Sequence, residues 1–92
     1  MGVKTYEVLK EYVFWVDGLD YTVKGRISRN LNPNVGEPFT WEISHHYKPS
    51  ETAAGVYYPS VLSAGTLEDA ERHLLAYANA FTNIGVKADN YF

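Results

Sequence analysis

Cysteine is absent from this 92-residue sequence, and methionine occurs once. Without thiols there is no disulfide framework, no thiolate nucleophile and no cysteine-bound zinc, and a reducing compartment is the natural setting. No apolar run approaches the roughly 20 residues that a membrane-spanning helix needs. A surplus of positive charge is lacking as well. The formal charge is −3, with five Lys/Arg against four Asp/Glu over residues 1–30 and three against seven over residues 31–92. No basic patch is therefore available to drive binding to a phosphate backbone. Repeats and low-complexity tracts are missing. Gly18, Gly25, Gly36, Gly55, Gly65 and Gly85 stand singly in turns or bends, which excludes a glycine-rich phosphate loop. Met1-Gly2-Val3-Lys4 has no apolar stretch of a secretory signal, and Tyr6 stands where myristoylation requires Ser or Thr. The expectation is one soluble, cytoplasmic domain, near the lower size limit for an independent core.

What the chain does have is aromatic residues, including eight tyrosines and two tryptophans. Such side chains favour strands and also enrich binding surfaces. Residues 5–30 read as one long β-hairpin turning at Asp17-Gly18, a dipeptide suited to a two-residue type I′ loop. That turn sets Val16 against Leu19, Phe14 against Tyr21, Tyr12 against Val23 and Val8 against Ile27 on one apolar face. The other face pairs Trp15 with Asp20, Val13 with Thr22, Glu11 with Lys24 and Leu9 with Arg26. Gly25 within the second strand marks a bulge or bend.

Residues 30–38, with two prolines and three asparagines, form a loop. A third strand is predicted over 39–48, with Phe39, Trp41, Ile43, His45 and Tyr47 on one face and Thr40, Glu42, Ser44, His46 and Lys48 on the other. A short fourth strand is predicted over 56–61, at an edge because Pro59 donates no hydrogen bond. Helical spacing of Leu67, Ala70, Leu74, Tyr77, Ala78 and Phe81 predicts a helix over 66–83, capped by Thr66 and carrying a Glu68–Arg72 pair. Gly85 is its stop signal, and 84–92 is a tail. The fold class is α+β: a four-stranded antiparallel meander in the order β-β-β-β-α, with the helix on the apolar sheet face.

One helix of this length covers about half of such a face. That mismatch predicts a non-catalytic binding or regulatory module acting as a homodimer, the commonest closed assembly, or binding another protein. Its partner surface is assigned to Leu9, Val13, Trp15 and Arg26 on the outer hairpin face, joined by any of Phe39, Trp41 or Leu75 that the helix leaves uncovered. An alternative is a nucleic-acid-associated protein using Trp15, Lys24 and Arg26. A third is a small enzyme with a pocket containing His45 or His73. The column Glu42, Ser44, His46 has hydrolytic residue types, but strand neighbours on one face stand roughly 7 Å apart at Cα, too far for a triad. His45 and His46 point to opposite faces and cannot share a metal. No catalytic residue, metal ligand or cofactor is assigned.

Overall fold

The structure, a computed structural model, describes residues 2–92. Strands β1 (Tyr6–Trp15) and β2 (Thr22–Asn30) form the antiparallel hairpin that their alternation predicts. Its turn does sit at Asp17-Gly18, where the Leu19 N–H donates to the Val16 carbonyl over 3.1 Å. The turn type differs. Gly18 has φ +91° and no non-glycine among the described residues has positive φ, so the turn has the type II signature, not type I′. Type II twist splays the flanking strands. Pairing accordingly resumes only at Trp15–Thr22, and runs on through Phe14–Val23, Val13–Lys24, Tyr12–Gly25 and Glu11–Arg26. The register has moved by two residues from the predicted one. A shift of two preserves the faces, so Tyr12, Phe14, Val23 and Ile27 stay inside, whereas Tyr21, predicted opposite Phe14, falls outside the ladder and is exposed.

A second departure does change the faces. The β1–β2 register slips between Val8 and Lys10, a bulge at Leu9. Beyond it Val8 pairs with Ser28, not Ile27, so Val8 and Tyr6 pass to the outer face. The irregularity predicted at Gly25 is thus on the neighbouring strand. Gly25 is regular and buried, and its missing side chain makes room for the helix: a Cβ there would lie 2.9 Å from Leu74 Cδ1 and 3.1 Å from Phe14 Cε2.

β3 (Phe39–Ile43) continues the sheet against β2, but the predicted strand over 39–48 breaks at Ser44. The Ser44 N–H donates to the Lys24 carbonyl at 2.8 Å, and its Oγ accepts the Lys24 N–H at 2.8 Å. A hydroxyl has taken the place of a backbone carbonyl in the ladder, leaving the Ser44 carbonyl to accept the Asp89 N–H at 2.8 Å. The chain then leaves the main sheet as β4 (His45–His46). It pairs antiparallel with β6 (Lys87–Ala88), so part of the predicted tail is a strand.

The fourth strand of the main sheet is β5 (Ser63–Ala64), two residues beyond the predicted 56–61. Over 56–61 the backbone pairing is an isolated antiparallel bridge, in which the Tyr57 N–H donates to the Tyr47 carbonyl at 2.7 Å. Side chains take two of the carbonyls, Tyr77 Oη donating to that of Tyr57 at 2.5 Å and Trp41 Nε1 to that of Val61 at 3.0 Å. Pro59 between them has no N–H for a ladder. The main sheet therefore has the order β1-β2-β3-β5 with a C-terminal helix, the predicted α+β arrangement.

Helix α1 spans Leu67–Asn79, with Thr66 Oγ1 accepting the Asp69 N–H. It stops short of the predicted 83. Thr82 Oγ1 donates to the Lys48 carbonyl at 2.6 Å and accepts the Ile84 N–H, and this local bonding competes with further helix. Arg72 pairs with Asp69, not with Glu68.

The core lies between α1 and the inner sheet face: Val23, Ile27, Ala70 and Leu74 are fully buried, with Ile43, Tyr47, Ala64 and Tyr77 beside them. Trp41 is 2 % exposed. What the helix does not cover, the Ser44 bend does. It brings Tyr47 round to meet Tyr77 and Phe81 at ring distances of 4.9 and 4.7 Å, and Tyr57 stacks on Tyr77 at 5.5 Å. Phe14, Tyr12 and Phe39 remain partly buried against this core. No described helix is long and apolar enough to cross a membrane.

Candidate functional site

The outer face of the sheet carries Glu11, Val13 and Trp15 from β1, Lys24, Arg26 and Ser28 from β2, and Thr40 and Glu42 from β3. Strand alternation places these side chains together, and the bulge at Leu9 adds Tyr6 and Val8 at the far end. Trp15 is 79 % exposed and Val13 58 %. At the other end an open groove of about 570 Å³ is lined by Tyr6, Val8, Ser28, Thr40 and Leu62, with Arg26 and Glu42 on its floor. Tyr6, Val8 and Leu62 are each about half exposed.

Arg26 divides the face. Its guanidinium donates to both Glu42 oxygens, at 3.0 and 3.2 Å, and to the Phe92 carbonyl at 3.1 Å. The Phe92 ring lies over it at 4.3 Å. Hydrogen bonding to Glu42 is the largest influence on this group and raises its pKa further. The charge is thus engaged within the chain by Glu42 and Phe92.

The other residues assigned from sequence scatter. Leu9 sits at the bulge and is half-buried; Phe39 packs on the edge of the core under Arg29; Leu75 is half-buried on the helix. Trp41 belongs to the core and is no part of an exposed surface. The structure brings together Val13, Trp15 and Arg26, and adds Phe92, Tyr6 and Val8, which sequence spacing did not place there. The bulge and the returning tail bring them in, and neither leaves a periodic signal.

The three histidines meet different surroundings, two on β4 and one on α1. His45 accepts or donates a 2.7 Å bond between Nδ1 and Ser44 Oγ, with a direction set by its tautomer, and it stacks on Tyr21 at 5.1 Å. Ser44 is buried, its Oγ already takes the Lys24 N–H, and it lines none of the cavities described here. Burial lowers the His45 pKa. His46, predicted in an outer column with Glu42 and Ser44, lies beside Tyr58 in a cleft that Glu42 also lines while paired with Arg26; Ser44 does not line it. His73 lines a separate cavity of about 310 Å³ between α1 and the 57–61 segment. Among the described residues no group of three or more His, Asp or Glu is placed to hold a metal ion.

Compared with known proteins, the chain matches no family model, no curated protein and no solved structure.

Proposed function

We propose that the chain is a non-catalytic binding module that pairs with a second copy of itself through the outer face of its sheet. The observation that carries this reading is Trp15, 79 % exposed beside Val13 on a strand whose opposite side is packed. Keeping large apolar side chains in water forgoes on the order of 1.5–3 kcal/mol each. The patch is also self-complementary in charge: Glu11 lies one step along the face from Val13, and Lys24 is directly across from it. A two-fold axis near Val13 sets the glutamate of one copy by the lysine of the other, as an isologous contact requires.

Sedimentation from micromolar to millimolar protein tests this. A species of twice the monomer mass is expected, with Trp15→Ser combined with Val13→Ser giving a folded monomer. A parent that stays monomeric throughout, or a dimer that survives the double substitution, refutes the reading.

A further inference from the structure

β5 pairs with only the first part of β3, so the remaining edge of β3 opens onto a cleft of about 280 Å³. This is room for about nine water molecules. Its lining includes the buried His46, the exposed Tyr58, Leu62 and Tyr91, and Asp89. His46 is only 7 % exposed, with its ring between Tyr58 at 4.7 Å and the Tyr77 edge at 6.0 Å. Yet the imidazole makes no hydrogen bond to the described chain, and no described side-chain nitrogen or oxygen is both sealed from solvent and unpartnered. Its nitrogens therefore meet solvent through this cleft. A nine-tenths buried ring held by aromatic neighbours, with no partner in the described chain for its nitrogens, offers hydrogen bonds to whatever enters the cleft it lines.

The surrounding chemistry selects the occupant. Glu42 is paired with Arg26, whereas Asp89 makes no ion pair among the described residues; it accepts the Tyr91 N–H at 2.8 Å and lines the cleft. Tyr58 and Tyr91 present aromatic rings, whose faces attract cations. Burial, acting with the nearby His45 and against Asp89, lowers the His46 pKa and favours the neutral ring, which accepts hydrogen bonds. Trp41 donates its N–H outward to Leu62. By strand alternation the Ile43 carbonyl faces the same open edge and adds a second neutral acceptor. A carboxylate, an imidazole, a carbonyl and aromatic faces together repel an anion and suit a cation with N–H or N–CH₃ groups. We propose that this cleft binds a small organic ammonium group, the head of an alkylamine or a methylated amine. The site shares Glu42 and Leu62 with the groove at the far end of the outer face but includes neither Val13 nor Trp15.

Titration followed by two-dimensional NMR, with tert-butylammonium chloride as the probe and sodium acetate and tert-butanol as controls at matched ionic strength, tests the proposal. The ammonium salt is expected to shift His46, Tyr58 and Asp89 saturably, with millimolar affinity, and the controls are not. Asp89→Asn retains an acceptor for the Tyr91 N–H, and Tyr58→Leu alters a side chain more than half exposed, so both keep the fold. Each should weaken binding about threefold to fivefold. Absence of saturation at about 100 mM, equal shifts with tert-butanol, or unchanged affinity in both variants overturns it.

Discussion

Replacing Gly25 by alanine places a methyl group 2.9 and 3.2 Å from the two δ carbons of Leu74 and 3.1 Å from Phe14 Cε2. Leu74 is fully buried against β2 and β3, so its end methyls have nowhere to swing. Overpacking of this kind costs about 1–3 kcal/mol. Alanine gains about 0.5–1 kcal/mol over glycine in a strand interior. The net loss lies between about 0 and 2.5 kcal/mol and centres near 1 kcal/mol, a fall in Tm of about 4–8 °C at the centre for a domain of this size. A double-mutant cycle in urea isolates the contact. Leu74→Ala alone costs about 2–5 kcal/mol through the void it leaves. In that background the Gly25→Ala methyl enters vacated space, so its cost should vanish or turn into a gain, a coupling of about 1–3 kcal/mol. If Gly25→Ala stabilises the parent chain, or has the same effect in Leu74→Ala as without it, the close approach of helix and sheet at this point is refuted.

Two further outcomes follow from the helix and its contact with β1. The Tyr12 hydroxyl is pushed up to about 12, chiefly by burial and then by its hydrogen bond to Glu71. A phenol with a raised folded-state pKa contributes stability in full below its ordinary value of 10.0 and loses it as pH climbs toward the folded value. Tyr47 and Tyr77 are raised too, so the measurement is a difference. Between about pH 9 and pH 12 the urea midpoint of the parent should fall further than that of Tyr12→Phe, and equal falls would remove the contact. Thr66→Ala removes the oxygen that accepts the Asp69 N–H, for a loss of about 1 kcal/mol by chemical denaturation, most of it restored in Thr66→Asp; an unchanged midpoint in the alanine variant contradicts the cap.

The elements that depend on local pattern were legible from the residues. Alternation located the hairpin and the first half of the third strand, and helical spacing with Thr66 located the start of α1. What escaped depends on partners distant in sequence or on one residue's hydrogen bond. Ser44 breaks the third strand because its hydroxyl satisfies the Lys24 N–H, although Phe39 to Lys48 alternates without interruption. Tyr57 and Val61 resemble strand residues, but their carbonyls are taken by Tyr77 and Trp41 from elsewhere in the fold. Asp17-Gly18 marked the turn correctly and its type wrongly, which moved the register by two and spared the faces. The outer strip of Val13 and Trp15 followed from alternation alone. The His46 cleft did not, since it exists only because the chain swivels at Ser44 and Asp89 returns to meet it.

The bulge at Leu9 makes the composition of a surface depend on a count of residues. With one more residue on β1 than on β2 over Val8–Lys10, Tyr6 and Val8 look outward with Val13 and Trp15. Excising a single position there would swing both side chains toward the helix side and bring Glu7 out in their place, with no other letter of the sequence altered. In this strand an insertion or deletion acts as a two-way selector, deciding whether one end of the sheet shows the world oil or charge.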